Sequence, residues 1–194
     1  MQLTRLLVPT FVQTLKNLSA WLDKAAGPDK DKSGEAAAGL DMLMTLRLAP
    51  DMFPLAAQVR FACFQAQEPV YRLRGEDVPQ ALRQVREEGV KSNEAPGTFA
   101  DAKARIQEAV SFLSLLTPDA LDDAANRPIA LDLPNGVIFD MTGEEYARDW
   151  SLPQFYFHAV TAYSILRSHG VVLGKPDYVA HMFPYIRPGT LPQS

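Results

Sequence analysis

His158 and Gln154 are the two residues whose types and spacing most directly raise a question of chemistry. They lie four residues apart, which places both side chains on one face of a helix. A histidine at the earlier position would put two imidazoles side by side and would suggest a metal site. The earlier position holds a glutamine, so the pattern is that of a metal-binding helix with a replaced ligand.

The helix that carries these residues is predicted to begin at Pro153 and to end at Gly170, since proline favours a first helical turn and glycine a helix end. Three further long helices are expected from the 3.6-residue spacing of apolar side chains. They run from Leu3 to about Ala25, from Asp51 to about Arg74, and from the cap Thr98 through Leu116. Pro9 is expected to bend the first of them or to shorten its start.

The segment 128–141 differs from the helical parts, because apolar residues alternate around an Asn135-Gly136 pair. This pattern predicts a small β-hairpin. The residues after it, 142–146, are expected to turn back towards the helix at Pro153. The chain is thus predicted to be an all-α protein, a four-helix bundle with a small β-hairpin insertion before the fourth long helix. We expect one domain over 1–178 and a C-terminal tail over 179–194.

Composition and charge exclude several classes of protein. Hydrophobic residues make up 47% and charged residues 22%, as in ordinary folded proteins. The net charge of −4 argues against a nucleic-acid-binding module, and the absence of a run of ~20 apolar residues argues against a membrane span. The apolar N-terminal run is interpreted as an amphipathic helix, not an export signal. The single cysteine, Cys63, excludes an intramolecular disulfide and permits a reducing compartment, so we expect a cytoplasmic protein.

Three motifs resemble a known family. They are Arg47–Pro54 followed by Gln58-Val59, Leu152–His158 followed by Thr161–Arg167, and Gly174-Lys175-x-Asp177-Tyr178. Together they resemble an uncharacterised domain-of-unknown-function family of bacteria and fungi within the DinB/YfiT-like superfamily. The resemblance covers the chain from the first helix to Tyr178 and implies a DinB-like bundle.

The resemblance also implies where a metal would bind. Metal-binding members of the superfamily use one histidine from the second helix and a His-x-x-x-His pair from the fourth. In this chain His158 falls on the second position of that pair, Gln154 on the first, and Gln58 near the second-helix position. Glutamine is a poor zinc or nickel ligand beside imidazole. If any residue binds a metal, it is His158.

Gln58, Gln154 and His158 define a candidate ligand pocket, to which Asp51 and Thr161 are added. Two buried amides and an imidazole could satisfy one another's hydrogen bonds. Asp51 lies seven residues before Gln58, so both are expected on one helical face, with Asp51 interpreted as a helix-end charge. The alternatives for His158 are a packed histidine in a structural polar network, a pocket residue, or a metal ligand.

Two functions follow. The first is a protein without a metal cofactor that binds a small molecule in the inter-helix cleft or acts as an interaction module. The alternative is a transferase or hydrolase that depends on a divalent transition metal such as nickel or zinc, with Gln58 and Gln154 as weak co-ligands of His158. Proteins of the superfamily often pair, and a homodimer is therefore expected as well.

Overall fold

The computed structural model describes residues 2–27 and 35–190. Its four long helices are α1 (Leu3–Ala26), α3 (Leu55–Arg74), α5 (Phe99–Ser114) and α7 (Leu152–Ser168). The shorter helices are α2 (Glu35–Leu43), α4 (Gln80–Val90), α6 (Gly143–Glu145) and α8 (Lys175–Tyr178). Strands β1 (Pro128–Asp132) and β2 (Ile138–Thr142) form the antiparallel hairpin. The predicted all-α bundle with a hairpin before the fourth long helix is confirmed.

The core forms where the apolar stripes of the four long helices meet. Helix α1 packs against α5 and α7, and α3 packs against the same two helices from the other side. The stripe of α1 is fully buried at Leu7, Leu15 and Leu22, and the ring of Phe11 meets that of Phe155 edge to face at 4.8 Å. Burial of such large side chains drives the packing, at about 25 cal/mol per Å² of apolar surface.

Two prolines lie inside long helices without ending them. Pro9 is exposed in α1, which already begins at Leu3, so the expected shortening of this helix at Pro9 does not occur. Pro69 lies inside α3, and its missing N–H leaves the main-chain carbonyl of Gln65 without the usual intrahelical donor.

The start of α3 corrects the placement of Asp51. The helix begins at Leu55, with Pro54 as its N-terminal cap, and Asp51 lies in the turn before it with its side chain exposed. Asp51 and Gln58 therefore do not share a helical face, and the prediction from their seven-residue spacing is wrong. Pro54 disfavours a helical conformation in the residue before it, which explains why the helix cannot extend back to Asp51.

The segment between the hairpin and α7 is helical, not a turn. Thr142 and Glu145 form a capping box that starts α6, and residues Tyr146–Ser151 continue as a π-helix into α7. The helical run that carries His158 therefore begins at Gly143, ten residues before the predicted start at Pro153. A π-helical turn of this kind is often found at functional sites.

The remaining predictions concern loops and the chain ends. Thr98 and Asp101 form the predicted capping box at the start of α5. Only Gly27 of the predicted loop 27–34 lies within the described residues. In the tail, residues Ala180–Tyr185 form a 3₁₀ helix, and His181 Nδ1 lies 3.2 Å from Asn17 Nδ2 of α1. No helix in the described ranges has the length and apolar character needed to cross a membrane.

Candidate functional site

The polar centre of the bundle is a hydrogen bond between α3 and α7. Gln58 Oε1 and His158 Nδ1 lie 2.9 Å apart. The Gln58 amide is oriented by a second bond, from its Nε2 to the main-chain carbonyl of Phe53 at 3.3 Å. Since Nε2 donates, Oε1 accepts, and His158 therefore donates from Nδ1. This tautomer leaves the other ring nitrogen, Nε2, as a hydrogen-bond acceptor.

Aromatic rings surround the His158 imidazole. The ring of Phe61 lies 5.0 Å from it and that of Phe157 lies 5.3 Å from it, measured between centroids. Burial lowers the pKa of His158 to about 4, because the charged imidazolium loses water that nothing replaces. His158 is therefore neutral at pH 7, and its Nε2 keeps its lone pair.

The other candidate residues do not take part in the Gln58–His158 hydrogen bond. Gln154 lies one turn before His158 on α7, is half-buried, and forms no hydrogen bond within the described chain. Thr161 is buried, but its hydroxyl donates to the main-chain carbonyl of Phe157 at 2.6 Å. The structure thus brings Gln58 and His158 together, places Gln154 beside them, and leaves Asp51 in the turn before α3.

The donor set does not fit a transition metal. Within the described residues, no three His, Cys, Asp or Glu side chains lie close enough together to hold a metal ion. Gln58 Oε1 already accepts from His158, so it is not a free ligand. The Cys63 thiol is fully buried, and burial raises its pKa to about 12, which keeps the thiolate from forming. A catalytic zinc site requires about three protein ligands, and this centre offers one imidazole nitrogen.

A second polar region lies along the same pair of helices and was missed by the sequence reasoning. Gln65 is seven residues after Gln58 on α3, and Trp150 is eight residues before His158, in the π-helical turn. Nearby, Arg72 Nε lies 2.7 Å from Glu68 Oε1. The pKa of the fully buried Tyr146 is raised mainly by burial and further by the charge of Glu68. The seven- and eight-residue spacings were visible in the sequence, but the predicted start at Pro153 left Trp150 outside the helix.

Comparison with known proteins places the chain in a family. The model of the family described as "Domain of unknown function (DUF1993)" matches residues 3–179. No curated protein matches. Among solved structures, a DinB family member from Shewanella denitrificans shares 34% sequence identity with a TM-score of 0.68. The match covers 98% of this chain and 96% of that one. The resemblance drawn from the three motifs is thereby confirmed, and the chain belongs to the DUF1993 family, a DinB-like family of unknown function.

Proposed function

We propose that this protein binds a small molecule in the cleft between α3 and α7 and does so without a transition metal. The observation that carries the proposal is the pair of hydrogen bonds at Gln58, from its Nε2 to Phe53 and to its Oε1 from His158. These bonds fix the imidazole tautomer and orient Nε2 as an acceptor. A neutral, oriented acceptor between two aromatic rings is suited to a ligand with an apolar body and one O–H or N–H donor.

The side chains available as metal ligands support a function that does not need a metal. Superfamily members that bind metal present three imidazoles, whereas this chain presents one imidazole and two amides. A metal at His158 would have to displace the Gln58 contact and would still lack two strong ligands. The alternative hypothesis, a metal-dependent transferase or hydrolase, therefore requires a cluster of metal ligands that is not found among the described residues.

Elemental analysis of protein purified without chelator tests the metal part of the proposal. Wild type is expected to contain well below one nickel, zinc or iron per chain, with no difference from His158→Ala. The double variant Gln58→His and Gln154→His restores three imidazoles and is the matched positive control, expected to take up about one metal ion per chain. About one metal ion per wild-type chain, lost in His158→Ala, would overturn the proposal.

The ligand part is tested by NMR of the imidazole. A fragment library of phenols, anilides and their O- or N-methylated counterparts is titrated into wild type and His158→Phe. We expect some donors to shift the His158 ring resonances, and their methylated counterparts to bind at least tenfold more weakly, the equivalent of about 1.4 kcal/mol. Equal binding by donors and methylated counterparts, or no shift by any fragment, would contradict a ligand role for Nε2.

An exposed apolar face favours self-association as a second function. On α7, Phe157 is 59% exposed and Val160 is 41% exposed, although both flank the buried helix face. The two residues are three apart and therefore neighbours on the helix surface, and twofold dimers are the commonest assembly. Sedimentation of wild type and of Phe157→Glu tests it: a dimer that dissociates in the variant supports a homodimer, and a monomeric wild type contradicts it.

A further inference from the structure

A cavity of about 630 Å³ opens between α3, α4 and the β-hairpin. Its walls come from Gln65 and Glu68 on α3, from Arg83 and Arg86 on α4, and from the loop that follows β1, and Trp150 of the π-helical turn borders it. The volume is within the range of about 300–1,000 Å³ that small-molecule sites occupy. His158 is not among its walls, so this cavity is separate from the cleft of the proposed function.

Unsatisfied polar atoms cluster beside this cavity. In the described part of the chain, four buried side-chain atoms have no hydrogen-bond partner: Gln65 Oε1, Tyr146 Oη, Trp150 Nε1 and Ser151 Oγ. Three of the four belong to the π-helical turn, and the fourth belongs to the facing residues of α3. Each such atom loses its hydrogen bonds to water on burial, which costs free energy when no partner replaces them. A polar ligand that enters beside such atoms gains hydrogen bonds that the chain itself does not already use.

Two of these atoms belong to residues of the cavity wall, and their chemistry defines a partner. Gln65 Oε1 requires a donor, and Trp150 Nε1 requires an acceptor. An amide or carboxamide supplies both groups a few ångströms apart. The rings of Phe64 and Trp150 and the side chains of Val78 and Leu131 add apolar wall on which a flat group can pack.

The charges of the wall favour a cationic ligand. Glu68 and Arg72 neutralise each other through their 2.7 Å contact. Within the described residues, the other charged groups of the wall form no ion pair, and acids outnumber bases among them: Glu76, Asp77, Glu87 and Asp132 against Arg83 and Arg86. The cavity therefore has an excess of negative charge, which attracts cations and repels anions of the same size.

We propose that this cavity is a binding site for a small amide that carries a positive charge and an apolar or aromatic group. The amide pairs with Gln65 Oε1 and Trp150 Nε1, and the cation lies near the unpaired carboxylates at the rim. Both amide-pairing atoms are shielded from solvent, so a rotation of the half-buried Trp150 side chain accompanies binding. This rotation also separates the indole from the ring of Phe139 in β2, which lies 6.0 Å away between centroids.

Calorimetric titration with two matched probes tests the proposal. Phenylalaninamide has the amide, the ring and a positive charge, whereas N-acetylphenylalanine has the amide and the ring with a negative charge. We expect phenylalaninamide to bind at least tenfold more tightly, and its affinity to fall as salt is raised. No binding of phenylalaninamide at millimolar concentration, or equal binding of the two probes, would overturn the proposal.

Variants locate the site and separate it from the His158 cleft. Gln65→Leu and the double variant Asp77→Asn and Asp132→Asn are each expected to weaken phenylalaninamide binding at least tenfold. Gln107→Leu on the exposed face of α5 and Asp119→Asn are the matched controls, expected to bind as wild type does. His158→Phe is also expected to bind as wild type does, since His158 lies outside the cavity. Wild-type affinity in both cavity variants would overturn the proposal, whatever the outcome at His158.

Discussion

The Nδ1 atom of His158 lies 2.9 Å from Oε1 of Gln58, a residue 100 positions earlier in the chain. The contact joins the second and fourth long helices, α3 and α7, through a neutral polar pair. The hydrogen bond leaves the protein with a titratable group, His158, whose charged form is disfavoured by burial in the folded state.

Replacement of His158 by glutamine is expected to change how stability depends on pH. Burial lowers the pKa of His158 to about 4 from its ordinary value of 6.5. Between these values the unfolded chain binds a proton that the folded chain does not. The free energy of unfolding therefore falls as pH falls from about 6.5 to about 4, by at most about 3 kcal/mol. Urea denaturation of wild type and His158→Gln between pH 4 and 8 measures this change in the free energy of unfolding.

Glutamine remains neutral throughout this range, so the free energy of unfolding of His158→Gln should lack the part of the pH dependence that comes from His158. Carboxylates such as Asp101, whose pKa is lowered by the hydrogen bond from the Thr98 main chain, affect both proteins equally and cancel in the difference. If wild type and variant show parallel pH profiles, the imidazole is not buried as a neutral group.

Gln58→Glu is expected to raise the pKa of His158. The substitution puts a carboxylate where the amide oxygen now accepts from the imidazole, and an opposite charge at that distance favours the protonated ring. NMR titration of the ring protons measures the shift, with Gln67→Glu, nine residues further along the same helix, as the control. A His158 titration that is unchanged in Gln58→Glu would show that the two side chains do not meet.

Cys63 is expected to be inert while the protein is folded. Its side chain is fully buried, so an alkylating reagent cannot reach the sulfur. Burial also raises the pKa of the thiol to about 12, so the reactive thiolate does not form at neutral pH. Labelling by iodoacetamide should follow the unfolded fraction as urea is added. The control is Cys63→Ala with Ser111→Cys, which exposes a thiol on α5 and should react without denaturant. Rapid labelling of native Cys63 would contradict the burial.

The bundle could be predicted from the sequence because its signals are local. The stripe from Leu3 to Leu22, the cap at Thr98 and the alternation around Asn135 each lie within one element, and each of these three elements forms where its pattern indicated. The prediction for Asp51 is wrong for a related reason. Seven-residue spacing places two side chains on one face only inside a helix, and α3 begins after Pro54, so Asp51 lies outside it.

The cavity could not be predicted in the same way. Its walls are brought together by the packing of α3, α4 and the hairpin, which no single periodic pattern encodes. Gln65 and Trp150 are ordinary residues in the sequence. They become notable only in the fold, where Gln65 Oε1 and Trp150 Nε1 are buried and find no hydrogen-bond partner among the described residues.

Thr98→Ala is expected to destabilise the protein by about 1 kcal/mol, the usual cost of a lost N-terminal cap. The Thr98 hydroxyl accepts from the main-chain N–H of Asp101 at 3.0 Å, and the Asp101 carboxylate accepts from the N–H of Thr98 at 2.9 Å. Thr98→Ser keeps the oxygen and should retain most of the stability. Equal urea midpoints for Thr98→Ala and wild type would mean that the box contributes nothing.

Gly143→Ala is expected to be among the most damaging small substitutions, at about 3 kcal/mol. A Cβ at this position would lie 2.0 Å from the main-chain oxygen of Ala124 and 3.1 Å from Leu73 Cδ2. The matched control is Gly39→Ala in α2, where a Cβ meets no described residue within 4 Å and should stabilise the helix by about 0.5–1 kcal/mol. Thermal unfolding of the two variants measures the contrast, and equal midpoints would contradict the close contact.

The position of Gly143 links this stability effect to the cavity. It is the first residue of the helical run that carries Trp150 and then His158, so relief of the clash moves the start of that run away from Ala124. Trp150 is seven residues away and His158 is fifteen. We therefore expect Gly143→Ala to weaken phenylalaninamide binding more than it shifts the His158 ring resonances. A larger effect on the His158 resonances than on phenylalaninamide binding would mean that the shift at Gly143 passes through the π-helical turn into α7.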